Sequence, residues 1–146
     1  MENETCSSIV LSIFAALIGF AGTILGAFIA YFLAARQVAK ADLSIAKSEL
    51  ITRLMCINKE MWHTFAPPHN IWDSALPTII PAYLKLRVHI SQHWLRIIDQ
   101  GFIEATGKDP MTLINEPVCK KWGDENRKLA EDCVADLVLK VSSASF

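Results

Sequence analysis

IVLSIFAALIGFAGTILGAFIAYFLAA, residues 9–35, decides the class of this chain. No charged residue lies between Thr5 and Ala35, and no proline interrupts the run. A helix needs about 20 apolar residues to cross the hydrocarbon core of a bilayer. In the absence of proline every backbone group can be satisfied within one helix, as lipid demands. A cleaved secretory signal has a basic start, an apolar core of roughly 7–15 residues and a small-residue cleavage site. Here the start is acidic (Glu2, Glu4) and the first basic residue is Arg36, although Phe-Leu-Ala-Ala before it resembles a cleavage site. The stretch reads as a retained membrane anchor.

The flanks set the expected orientation. Arg36, Lys40, Lys47 and Arg53 follow the span and no Lys or Arg precedes it. Excess Lys and Arg marks the cytoplasmic side. The sequence therefore predicts a single-pass protein of the cell inner membrane, N-terminus outside and C-terminal domain cytoplasmic, with Tyr31 near the inner headgroups. Within the span, Ala15, Gly19, Gly22, Gly26 and Ala30 recur at helical spacing, and Gly22-Thr-Ile-Leu-Gly26 is a GxxxG motif. Small stripes let transmembrane helices approach closely, so a homo-oligomer is expected. No ionisable residue sits mid-span, which argues against a proton relay or ion site in the bilayer.

Beyond the span the chain reads as all-α. Neither glycine nor proline occurs between Ala27 and Ala66, so the helix is expected to continue to about Phe65. The predicted layout is an outer flank 1–8, a transmembrane helix 9–35, a helical stalk 36–66 and an all-α cytoplasmic domain 67–146 packing with the stalk. About 110 residues after the span suffice for one small domain. Leu43, Leu50, Leu54, Ile57 and Met61 fall at alternating heptad spacings. They fit either a short coiled-coil seam or an amphipathic helix packing on its own domain.

Pro67-Pro68 should end that helix. A proline-rich connection to residue 81 follows, then a second helix from near Pro81 to Gln100 or Glu104. Asp109-Pro110 predicts a short capped helix. Asn115-Glu116-Pro117 predicts the start of the last helix, reaching about Val141 with Gly123 as a possible interruption. Trp122, Leu129, Cys133, Leu137 and Val141 would form its apolar stripe, and the final Ser-Ser-Ala-Ser-Phe should fray.

Net charge is −1, too little to hold duplex nucleic acid. Cys56, Cys119 and Cys133 are far apart and read as small core hydrophobes on the reducing side. Cys6 would face the oxidising side. No glycine-rich phosphate loop, nucleotide fingerprint or Ser/His/Asp order is present, so an enzyme and a catalytic set are not expected. His89 and His93 are one turn apart if helical, but zinc needs three or four ligands and no third is evident. Neither a metal nor a cofactor is expected.

On the predicted second helix Lys85, His89, Gln92, His93 and Arg96 would share one face, with Tyr83, Leu86, Ile90, Trp94 and Ile97 on another. Such a face either is merely solvated or binds an anion with aromatic rings nearby for stacking. In a symmetric oligomer, repeated copies of that face would concentrate positive charge.

The layout of the full chain resembles the small membrane effectors encoded with type III CRISPR systems, nearest to those lacking a Rossmann-like sensor domain. The resemblance lies in one N-terminal membrane segment, its helical continuation and an all-α cytoplasmic domain of about 100 residues. It implies that the cytoplasmic part senses a cyclic oligoadenylate, cyclic tetra-adenylate favoured, as an oligomer, and that the membrane part then perturbs the bilayer in antiviral defence. Lys85, His89, Gln92, His93 and Arg96 would then meet phosphates, and Tyr83 or Trp94 would stack on adenine. Two other classes remain: an accessory subunit of a membrane complex, with Trp62, Trp72, Trp94 and Trp122 partly at a partner surface, and a membrane-anchored immunity or exclusion protein.

Overall fold

A computed structural model describes residues 2–119, 121–123 and 126–145, with side chains from residue 9 onward. Five helices and no strand occur among them: α1 (Glu2–His63), α2 (Pro68–Arg87), α3 (Gln92–Thr106), α4 (Pro110–Asn115) and α5 (Arg127–Ser143). The chain divides into two compact parts, Met1–Lys40 and Ala41–Phe146. The fold is all-α, with one N-terminal helix long and apolar enough to cross a membrane.

In the first part, none of the most apolar 18-residue stretch is buried, and its mean hydropathy is 2.3. Residues 9–35 as a helix extend about 40 Å, against about 30 Å of hydrocarbon. Thr23 donates its hydroxyl to the Gly19 carbonyl (2.8 Å), so its polarity is satisfied without a partner helix.

The second part is a four-helix bundle, and the seam on α1 shows why. Leu43, Ala46, Leu50, Leu54, Ile57 and Met61 follow 3–4 spacing and are all buried inside this one chain. The amphipathic-helix alternative therefore holds: a second chain is not needed to cover these residues. Glu49 on α1 pairs with Lys85 near the end of α2. Arg53, Cys56, Ile57 and Glu60 line a cleft with Ser74, Ala75 and Thr78 of α2, so the two helices run antiparallel. Lys47 donates to the Ser142 and Ala144 carbonyls. At the other end Arg127 donates to the Met61, Thr64 and Ala66 carbonyls, so α5 is antiparallel to α1 as well. Helices α1, α2, α3 and α5 thus run up-down-up-down.

Three expected boundaries are corrected. The second helix begins at Pro68, not near Pro81, and contains Pro77 and Pro81. Each internal proline costs about 3 kcal/mol. Both prolines sit on the exposed side, whereas Ile71, Trp72, Leu76, Ile79, Ala82, Tyr83 and Leu86 continue a buried stripe past them. At about 1.5–3 kcal/mol per large apolar side chain, that burial outweighs the lost donors.

The same helix stops at Arg87, and residues 88–91 turn the chain back into α3. Tyr83 and Asp99 are sixteen positions apart, about 24 Å along a straight helix. After the turn the Tyr83 hydroxyl donates to Asp99 at 2.5 Å, and its ring meets Phe102 edge-on at 5.3 Å. Antiparallel packing accounts for the break. Gly101 allows close approach to α5: a Cβ there would lie 2.8 Å from Leu137 Cδ1.

The last helix begins at Arg127, not at 115–117. The preceding segment is pinned across the bundle instead. The Cys119 amide donates to the Asp73 carboxylate (2.5 Å), the buried Trp122 indole donates to the Ala105 carbonyl, and His69 Nδ1 bonds the Trp122 carbonyl (2.8 Å). The α5 stripe is Ala130, Val134, Leu137 and Val141, while Leu129 is exposed. Asp109 caps α4 as expected, accepting from the Met111 and Thr112 amides with Pro110 next to it.

Nor does the described C-terminal tail fray. Ala144 is buried, the Ser145 carbonyl accepts from the Ser91 amide, and the Ser145 hydroxyl accepts from the Trp94 indole (2.9 Å). Phe146 lies outside the described residues.

Candidate functional site

One end of the bundle gathers the residues on which sequence reasoning converged. The contacts of Lys47 and Ser145 bring the start of α1's bundle segment, the α2–α3 turn and the α5 terminus together there. The expected single basic face does not form, because the turn at 88–91 separates Lys85 from Gln92, His93 and Arg96. Lys85 lies on α2, and His89 lies in the turn with its amide bonded to the Leu86 carbonyl. Gln92, His93 and Arg96 lie on the first turns of α3 and are exposed.

Lys85 and His89 do share a shallow cleft of about 190 Å³ with Asp42, Ile45, Ala46 and Glu49. Nothing in the sequence places the two carboxylates in this cleft. They lie beside the buried seam of α1, and an antiparallel α2 brings Lys85 to Glu49 at 2.9 Å. That pairing offsets the Lys85 charge at the place where an anion was expected. The exposed Arg96 of α3 has no such partner among the described residues.

Tyr83 is corrected as a stacking residue. Only 1% of it is exposed, and its ring is packed on Phe102. Burial and the Asp99 carboxylate both push its hydroxyl well above the ordinary tyrosine range. It joins α2 to α3. Trp94 is half-buried, tied to Ser145 and 5.8 Å from the His93 ring at 73°. The turn between α2 and α3 breaks the continuous helix that would have set His89 one turn from His93.

The tryptophans and cysteines also divide. Trp72 and Trp122 are buried, whereas Trp62 is 74% exposed and Phe65 beside it is fully exposed. Cys119 is buried, Cys133 half-buried and Cys56 exposed, so the core-hydrophobe expectation fails for Cys56. Burial raises the pKa of the Cys119 and Cys133 thiols, which disfavours the thiolate a nucleophile needs. The Cys6 side chain lies outside the described set. Along the apolar run 9–35, a Cβ built on Gly19, Gly22 or Gly26 meets nothing within 4 Å, and Ala15 and Ala30 are exposed.

Comparison with protein-family models, curated proteins and solved structures finds no match.

Proposed function

We propose that this chain is a non-catalytic, membrane-anchored effector working as a homo-oligomer in the cell inner membrane, with its N-terminus outside and its bundle in the cytoplasm. One observation carries the anchor: the apolar surface of residues 9–35 is exposed throughout, while the bundle covers its own core. Lipid, or lipid and further copies of the span, is the environment that surface fits. The bundle in this reading senses a phosphate-bearing ligand, a cyclic oligoadenylate such as cyclic tetra-adenylate being favoured, and passes the signal to the span, which perturbs the membrane in antiviral defence. Ligand contact narrows to Gln92, His93 and Arg96 with the half-buried Trp94, because Lys85 is paired and Tyr83 is enclosed.

Two measurements test it on the full chain. Impermeant thiol reagents on intact cells should label Cys6 and spare Cys56, the exposed cysteine of the bundle; the reverse would invert the orientation. The melting temperature in detergent should rise with cyclic tetra-adenylate, and Arg96→Ala should weaken that binding about tenfold or more, the loss of one charge-assisted hydrogen bond. No rise with any cyclic oligoadenylate would sink the ligand reading. A second reading, an accessory or immunity protein, is favoured by Trp62 and Phe65, large aromatic side chains left exposed by the bundle. It requires Trp62→Ala to abolish activity while any nucleotide response is absent.

A further inference from the structure

We propose that the bundle end formed by the α2–α3 turn makes a second, peripheral contact with the anionic headgroups of the bilayer. This rests on reading residues 9–35 as the span. The first observation is charge. From Ser74 to Ile98 there is no Asp or Glu, yet the segment carries Lys85, Arg87 and Arg96 as well as two histidines. The carboxylates that α1 brings to this end are Asp42 and Glu49, and Glu49 is engaged by Lys85. Lys47 is held on the α5 carbonyls. Arg87, beside the Met111 sulfur, and the exposed Arg96 form no ion pair among the described residues.

The second observation is shape. Val88 is 77% exposed, at the tip of the turn between Arg87 and His89. An apolar tip next to the Arg87 cation matches the boundary between acyl chains and phosphates, where apolar groups bury shallowly and cations meet anionic lipid.

The third observation is chain length. Five residues, 36–40, separate Ala35 from Ala41, about 8 Å if helical. The headgroup layer on each face is about 5–8 Å thick. A tether this short holds the start of the bundle segment near lipid phosphate at high effective concentration. A phosphate ligand held by Gln92, His93 and Arg96 would share Arg96 with the lipid but leave Arg87 and the exposed Val88 uncovered.

The test uses the full chain in nanodiscs, either phosphatidylcholine alone or with about 30% phosphatidylglycerol, and reads amide exchange across residues 86–93. Anionic discs should slow exchange there about fivefold or more, since each cation near such a surface gains about that factor. Arg96→Gln, an exposed substitution, should remove part of the slowing, and about 0.5 M salt most of it. Equal exchange in the two lipids overturns the proposal. So does slowing in phosphatidylcholine discs on adding cyclic tetra-adenylate with none from phosphatidylglycerol, which would make the anion a soluble one. Failure of the chain to enter discs would instead overturn the span itself.

Discussion

Glycine has opposite meanings in the two parts of this molecule. At Gly19, Gly22 and Gly26 an added Cβ meets nothing, whereas at Gly101 it meets Leu137 and Lys140 at 2.8 and 3.1 Å. The bundle carries the reason for its small residue within the same chain: a side chain at Gly101 would have to displace Leu137 and Lys140 of α5. The apolar run 9–35 carries glycines that meet no neighbour among the described residues of this chain. The same contrast holds for apolar side chains. Leu50, Leu54 and Ile57 are enclosed, while Leu17, Phe20 and Phe28 are more than half exposed. A sequence that is apolar in both parts thus supports two different inferences, an internal core in one and an external medium in the other.

Trp72→Ala should show the largest effect in the bundle. Trp72 is wholly buried, and such truncations cost about 3–5 kcal/mol. Chemical denaturation of the full chain in detergent should lose that much for the bundle transition. A loss under 1 kcal/mol would mean the bundle is not packed as described.

A paired substitution sharpens the contrast between the glycines. Gly101→Leu should overpack the α3–α5 contact and cost about 1–3 kcal/mol, lowering the bundle melting temperature. Gly22→Ile with Gly26→Ile should leave that temperature unchanged and weaken self-association in bilayers, because branched side chains hold backbones apart. Unchanged assembly in the double variant would make the span an anchor only. A lower melting temperature would tie it to the bundle's stability.

The smallest expected effect is a pH dependence at the α4 cap. The Thr112 hydroxyl and amide, with the Met111 amide, hold Asp109 below the usual carboxylate range. A carboxyl whose pKa is depressed on folding adds stability above its unfolded value, and loses it as pH falls through the folded one. Asp109→Asn keeps a capping oxygen and removes the proton linkage. The difference in melting temperature between wild type and variant should therefore shrink only below the ordinary carboxylate range, and a constant gap from pH 7 to 3 would exclude the linkage.

Local signals were legible where chemistry acts over a few residues. Pro67-Pro68 ends α1 close to the expected Phe65, and Asp109-Pro110 opens α4. The candidate ligand face was less legible, because helical spacing relates side chains only while the helix lasts. The break at 88–91 has no glycine or proline to announce it. It is driven by pairing across the turn, Tyr83 with Asp99 and Phe102, which no window of a few residues contains. The irregular stretch before α5 was hidden in the same way. Pro117 looks like a helix start, but Asp73, Ala105 and His69 hold the segment from distant positions.

By itself, the sequence determined the helical class and the apolar run long enough to span, because length, hydropathy and the absence of proline are properties of contiguous residues. It also supplied the seam of α1, whose 3–4 spacing implies one buried face. Tertiary structure alone decided what covers that face, where α2 ends, that Lys85 meets Glu49 and that Tyr83 is enclosed. Each of these depends on side chains brought together from distant positions, and the free energy that selects the arrangement comes from burying them jointly.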